Sequence, residues 1–440
     1  MAHFFCQPGA ATASVIGGDA RVPGDKSISH RVLLLGSIAD GPTTVRGFLE
    51  SADTLATLEA IRALGVNVTR QHDSRAGNRL IIHGVGAEGL QAPTHPLDLG
   101  NSGAGMRLLA GLLAGQRFDS TLVGDASLMR RPMERIAAPL REMNADITTN
   151  NGLPPIQIRG GRALRAIDFE MPIASAQVKS ALLIAALNAN GRTHITEPVL
   201  TRDHTERLLR LFGVEMLRQD RTVALEGGQT LTGTEIDVPG DFSSAAFLLV
   251  LGALAAKQGI TLRGVGINPT RTGLLDLLIQ MGADIRVRPR ESTGEPIADI
   301  EVRQSRLKAI TVPESMIPRT IDELPVFFVA AACAEGETLV RGAHELRVKE
   351  SDRLSAMSEG LGRLGVEHEL LPDGLWIRGA AGFSGGSVDS YGDHRVAMAF
   401  AVASARASGP VEVRDVANVA TSFPSFVQTV QGLGLNLEQL

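Results

Sequence analysis

The sequence predicts an α/β (α+β) protein of two domains, each assembled from three βαβαββ-sized units. Three observations carry this expectation. One short pattern, the end of an amphipathic helix, a small or turn residue and then a strand, recurs six times along the 440 residues. Successive copies are 69 to 83 residues apart, too long for a solenoid repeat and about right for a βαβαββ unit. Val22-Pro-Gly-Asp-Lys-Ser27 returns as Val238-Pro-Gly-Asp-Phe-Ser243, 216 residues later, which is about half the chain. Finally, the chain is 44% hydrophobic and 21% charged, enough for sizeable cores and too apolar for disorder.

In chain order, the six copies are Ala63-Leu-Gly-Val-Asn-Val68, Glu142-Met-Asn-Ala-Asp-Ile147, Leu211-Phe-Gly-Val-Glu-Met216, Gln280-Met-Gly-Ala-Asp-Ile285, Arg363-Leu-Gly-Val-Glu-His368 and Gly432-Leu-Gly-Leu-Asn-Leu437. The third residue is Gly, or once Asn, the types that end a helix in the left-handed conformation. Apolar helices precede Gly-started strands, as in Val32–Ala39 before Gly41 and Phe327–Ala334 before Gly336. Ala245–Ala256, the longest apolar run, is shorter than the ~20 residues of a membrane span and reads as a buried helix. Helix starts are expected on the capping types Ser27, Asn101, Ser175, Thr201, Ser243, Asn268 and Ser351. Counting units from the echo gives one domain over 21–235 and a second made of 1–20 plus 236–440, meeting at a cleft.

Composition narrows the function. A net charge of −5, with one Trp and one Tyr, argues against nucleic acid as a partner. Cys6 and Cys333 cannot form a disulfide framework or a cysteine zinc site, and Met1–Ala10 lacks a signal-peptide pattern. A cytoplasmic enzyme or binding protein is expected, with no membrane partner, metal or cofactor. Only five of the 43 basic residues are lysines: Lys26, Lys179, Lys257, Lys308 and Lys349. A retained lysine offers a compact ammonium that arginine cannot imitate; for Lys257 and Lys308, in loop-like stretches, chance is sufficient.

Several strings carry chemistry. Pro23-Gly-Asp-Lys-Ser-Ile-Ser-His-Arg31 is a Gly-containing turn entering a helix, with Lys26, Ser27 and Arg31 suited to an anionic oxygen cluster. It lacks the Walker A spacing. Leu99-Gly-Asn-Ser-Gly-Ala-Gly-Met-Arg107 is a second such entry, where bare backbone admits close ligand approach. Arg130 and Arg131, before Pro132, form either an anion clamp or a solvated turn. Ala174-Ser-Ala-Gln-Val-Lys-Ser180 places hydroxyl, amide and Lys179 before an apolar helix, and Thr201-Arg-Asp-His-Thr-Glu206 offers Arg202. His204 reads as a capping-turn residue, since neither it nor His394 has partners at metal-ligand spacing. Asp322 and Glu323 precede an apolar run, as catalytic acids or as a helix cap. Arg347-Val-Lys-Glu-Ser-Asp-Arg-Leu354 and Tyr391-Gly-Asp-His-Arg395 add a carboxylate among cations, an acid/base candidate.

Seven strings in order, at 23–31, 99–107, 124–133, 175–183, 322–325, 347–354 and 392–398, together resemble the enolpyruvyl transferase family end to end. The resemblance implies an inside-out α/β barrel in each domain, an active site in the interdomain cleft, and no cofactor. It implies transfer of the enolpyruvyl group of phosphoenolpyruvate to the 5-hydroxyl of shikimate 3-phosphate, on the route to chorismate and aromatic amino acids, by a monomer. By motif position it gives Lys26, Ser27, Arg31, Ser175, Ala176, Gln177, Arg202, Asp322 and Lys349 to shikimate 3-phosphate. Lys26, Gly103, Arg131, Gln177, Arg353 and Arg395 go to phosphoenolpyruvate, and Asp322, Glu350 and Lys26 to catalysis. The family is a glyphosate target; the strings at 201–206 and 420–426 resemble the bacterial class that includes tolerant members, whereas Gly103 leaves the inhibitor's space open and argues for sensitivity. Two departures stand out: no Lys lies in Thr421–Phe423, and Ala104 replaces the usual Thr. The sister enzymes acting on UDP-N-acetylglucosamine typically carry a Cys within the loop matching 118–141, and this chain has none there. An idle anion-binding scaffold of the same fold is the third reading, against which stands the joint presence of Lys26, Asp322 and Glu350.

Overall fold

The computed structural model describes residues 2–8, 15–73 and 77–440. Of the opening stretch 1–20, residues 1 and 9–14 lie outside the described residues. The chain divides into two compact units. One comprises Gly24–Val238 with Thr293–Glu295; the other comprises Met1–Pro23, Pro239–Ser292 and Pro296–Leu440.

The Gly24–Val238 unit holds helices α1 (Lys26–Ser37), α2 (Ala52–Ala63), α3 (Gly103–Leu113), α4 (Glu134–Glu142), α5 (Ala176–Ala186) and α6 (His204–Leu211). The other unit holds α7 (Phe242–Ala255), α8 (Gly273–Gln280), α9 (Ile317–Thr320), α10 (Leu324–Ala332), α11 (Arg353–Arg363), α12 (His394–Ala403) and α13 (Phe426–Gly432). Helices α1, α3 and α5 pack together and are buried almost all round, as are α7, α10 and α12. Apolar residues on every face leave such helices no stable place but a core. Each unit therefore has helices at its centre and its sheets outside them.

Each unit carries three sheets of three or four strands. The arrangement repeats. In the first, Glu235–Asp237 runs parallel to Asp40–Arg46, which pairs antiparallel with Gly77–Val85, itself antiparallel to Asn67–Asp73. In the last, Gly386–Asp389 runs parallel to Val411–Arg414, which pairs antiparallel with His3–Cys6, itself antiparallel to Leu437–Gln439. The sheet of Glu337–Val340 has two isolated parallel bridges in place of an edge strand. All six expected helix ends adopt the left-handed conformation, Gly65, Asn144, Gly213, Gly282, Gly365 and Gly434 having φ between 74° and 92°.

The helix starts need correction. Of the seven expected caps only Ser175 is one, its hydroxyl accepting from Val178 N. Asp25 and Asp241 cap α1 and α7, ahead of Ser27 and Ser243, because a carboxylate both accepts the orphan N–H groups and complements the positive helix end. Ser102 caps α3, since Asn101 is engaged by Arg131 and Asp125. Thr201 instead bonds Glu197, Asn268 folds back on Thr270, and Ser351 bonds Asp393, leaving the cap positions to Asp203, Thr272 and Asp352.

Candidate functional site

In the Gly24–Val238 unit, the residues of the first string sit on the opening turns of α1. Lys26 Nζ lies 2.9 Å from Asp53 Oδ2, on a lysine side chain 17% exposed. Its ammonium is thus anchored on one side while still reachable from solvent. Ser27 occupies the same turn, and its carbonyl accepts from Arg31 Nη1 at 2.8 Å. Arg31 is buried, with Nε donating to Thr205 Oγ1 at 2.7 Å and Nη2 to Ser180 Oγ at 2.8 Å. Burial pulls its pKa down to about 10; Arg202 acts in the same direction, whereas Asp25 and Glu206 oppose it. At neutral pH the guanidinium stays charged. Two arginines close enough to repel make a site that favours an anion between them.

Ser175, Ala176 and Gln177 lie at the start of α5, the helix whose Ser180 meets Arg31. Gln177 Oε1 accepts from Arg107 Nη1 at 2.7 Å, and Arg107 Nη2 reaches the Pro132 carbonyl at 3.1 Å. Arg131 donates to the Asn101 carbonyl at 3.2 Å and to Asn101 Oδ1 at 2.5 Å. Gly103 opens α3 beneath these two arginines, where an added Cβ would stand 2.9 Å from Arg107 Nη1 and 3.3 Å from Arg131 Nη1. The openings of α1, α3 and α5 are therefore stapled together by arginines.

In the other unit, Asp322 precedes α10. Its Oδ1 lies 3.8 Å from Lys349 Nζ and 3.6 Å from Arg353 Nη1, and its carbonyl accepts from Arg395 Nη1 at 2.9 Å. Arg353 is 1% exposed, 2.8 Å from Asp393 Oδ2 and 2.5 Å from Glu350 Oε2. Burial alone depresses a guanidinium, but Asp393, then Glu350 and Asp322, outweigh it and hold Arg353 above the ordinary arginine value. The structure separates the two neighbouring acids that the sequence left open. Glu323 is buried, takes the N-cap position of α10 without a side-chain cap bond, and accepts from the Ser243 hydroxyl; Arg271 Nη2 meets that same hydroxyl at 2.9 Å.

Sequence reasoning missed the part of two contributors, Arg107 and Asp393, and left that of Lys179 open. Arg107 was quoted without a role, and its tie to Gln177 spans 70 positions. Asp393 is fully buried, caps α12 through Arg395 N and holds Arg353; an Asp two places before a helical Arg is the local sign. Lys179 is fully buried between Glu197 and Glu206, at 2.9 and 2.7 Å. His204 is the first residue of α6, in its capping turn after Asp203, and its Nδ1 lies 2.7 Å from Glu295 Oε1. Among the described residues no His, Cys, Asp and Glu group could hold a metal ion, and no helix is long and apolar enough to cross a membrane.

Known proteins resemble this chain over its length. The family model described as EPSP synthase (3-phosphoshikimate 1-carboxyvinyltransferase) matches residues 11–430. A 3-phosphoshikimate 1-carboxyvinyltransferase of Alkalilimnicola ehrlichii is 56% identical over 99% of this chain and 96% of its own. The EPSP synthase structure from Acinetobacter baumannii superposes with a TM-score of 0.88 at 48% identity, covering 100% of both chains. The enolpyruvyl transferase NikO of Streptomyces tendae shares the fold at 16% identity and a TM-score of 0.79, over 100% of this chain and 99% of its own. The match to the family model and the likeness to its members span nearly the whole chain, and on that ground the chain belongs to the EPSP synthase (3-phosphoshikimate 1-carboxyvinyltransferase) family.

Proposed function

We infer that this protein transfers the enolpyruvyl group of phosphoenolpyruvate to the 5-hydroxyl of shikimate 3-phosphate, releasing inorganic phosphate, in the shikimate pathway. The observation that carries this reading is the setting of Asp322. It lies 3.6 and 3.8 Å from the cations of Arg353 and Lys349, with its carbonyl on Arg395, so a carboxylate stands among cations, the setting an acid/base group needs.

The roles follow from this chemistry. Asp322 accepts the hydroxyl proton as that oxygen attacks C2 of phosphoenolpyruvate, while the methylene carbon gains a proton to give a tetrahedral intermediate. Loss of a proton from the new methyl group then expels phosphate and restores the double bond. Glu350 serves as the second acid/base group. Arg31, Arg202, Ser27, Ser175, Ala176, Gln177 and Lys349 hold shikimate 3-phosphate. Arg131, Arg353, Arg395, Gln177 and the turn at Gly103 hold phosphoenolpyruvate, and Lys26 serves both ligands. Two phosphates and two carboxylates demand this local excess of cations in a chain of net charge −5. The Gly24–Val238 unit then supplies the shikimate 3-phosphate side, and the other unit supplies the acid/base groups.

Phosphate release from phosphoenolpyruvate tests the reading. It is expected with shikimate 3-phosphate and absent with UDP-N-acetylglucosamine; the reverse pattern assigns the sister activity, and no release with either leaves an idle scaffold. We further propose a cytoplasmic monomer. The cytoplasmic part is supported by two free cysteines in 440 residues, Cys6 with a thiol pushed up to about 12 by burial, and the monomer by the family resemblance alone. A stable dimer in light scattering would overturn the monomer.

A further inference from the structure

His30 lies inside the first string, yet nothing in the reaction uses it. It is completely buried, and burial, with Lys26 and Arg31 adding to it, pushes its pKa down to about 3. The ring is neutral at physiological pH and makes two hydrogen bonds. Nδ1 lies 2.9 Å from Thr57 Oγ1 on α2, and Nε2 lies 3.2 Å from Ser102 Oγ, the cap of α3.

Proton counting assigns the tautomer. Ser102 Oγ accepts from Gly105 N at 3.0 Å, and His30 Nε2, 3.2 Å away, is the neighbour placed to take its hydroxyl proton. The ring proton is then on Nδ1 and is donated to Thr57, whose hydroxyl faces the Asp53 carbonyl at 3.5 Å. The opposite tautomer leaves the Ser102 proton without an acceptor. Space agrees with the bonding. A Cβ at Gly105 would stand 2.6 Å from Thr57 Oγ1 and 2.8 Å from Ser102 Oγ, so the backbone of α3 rests against the same two hydroxyls. Asp53, at the far end, holds Lys26.

We propose that neutral His30 is a positioning residue that fixes the Gly103 turn relative to the Lys26 turn, and thereby sets affinity for phosphoenolpyruvate. This rests on the functional reading above, in which both turns take that substrate. Arg31 and Ser175, which hold the other substrate in that reading, bond elsewhere, Arg31 to Thr205 and Ser180, Ser175 to Val178 N.

Steady-state kinetics test it. In His30→Leu the KM for phosphoenolpyruvate is expected to rise about tenfold, the effect of a displacement well under 1 Å at a binding turn, and the KM for shikimate 3-phosphate several-fold less, since the Lys26 turn serves both substrates and the Gly103 turn only the first. Two amides divide the bridge. His30→Gln can still accept from Ser102 but loses Thr57, and His30→Asn does the reverse. Gln is expected to restore phosphoenolpyruvate binding better than Asn, an order that mere stabilisation of the fold does not produce. An unchanged phosphoenolpyruvate KM in His30→Leu, or equal values for Gln and Asn, overturns the proposal. If His30→Leu does not fold, Thr57→Val decides, with a rise expected and no change overturning it. A wild-type protein that releases no phosphate with shikimate 3-phosphate overturns the functional reading, and this proposal with it; wild-type activity with unchanged variants removes this proposal alone.

Discussion

Asp322 owes its proposed role to the cations around it and can lose its charge without orphaning them. Arg353 keeps Asp393 and Glu350 as partners when Asp322 is neutralised, so Asp322→Asn is expected to fold. The carboxamide preserves size but accepts no proton, and removal of a general base typically costs ~10²–10⁴-fold in turnover. Titration with shikimate 3-phosphate should show binding far less affected than kcat; near-normal turnover would remove Asp322 from this role. Lys26 is the complementary case. Arginine keeps the charge, but its planar fork matches the Asp53 carboxylate 2.9 Å away and turns from the ligand toward that bidentate pair. Lys26→Arg should therefore lose at least about tenfold in kcat. A variant that retains most of its kcat would reduce Lys26 to a simple positive charge.

At the scale of the element, the first turn of α3 is, in the proposed reading, the wall shared by phosphoenolpyruvate and its longer mimic glyphosate. A methyl at Gly103 meets guanidinium ends that Gln177, Asn101 and the Pro132 carbonyl hold in place. Gly103→Ala thus displaces tethered arginines, a strain of ~1–3 kcal/mol. Inhibition kinetics should show the glyphosate Ki rising more than the phosphoenolpyruvate KM, and an unchanged ratio would contradict the steric account. Helix ends such as Gly65 and Asn144 were legible in the sequence because a left-handed cap is a local demand that few residue types meet. Helix starts were not, because Ser27, Thr201 and Ser351 are all chemically fit to cap. What diverts Thr201 and Ser351 is a partner, Glu197 or Asp393, on a separate element. The site strings were legible as loop-to-helix entries rich in cations. The bonds that discipline them, Arg107 to Gln177 and His30 to Ser102, join positions 70 and 72 residues apart and leave no local trace.

For the whole molecule, the topology divides labour unevenly along the chain. Residues 24–238 contain three complete sheets and three buried helices, whereas His3–Cys6 pairs only with Val411–Arg414 and Leu437–Gln439. On a ribosome, the unit whose first strand emerges earliest is completed last. At roughly 5–20 residues per second, that strand waits on the order of 20–80 s for its partner, with Phe4 and Cys6, both buried in the finished fold, still uncovered. Protease digestion of stalled nascent chains should show residues 24–238 protected once Thr293–Glu295 has left the exit tunnel, with the amino-terminal strand still cleavable. Simultaneous protection of both regions would contradict this order. The cell must therefore keep one apolar strand from other partners while everything between Cys6 and Val411 is made, a demand on its chaperones that comes from the order of the strands.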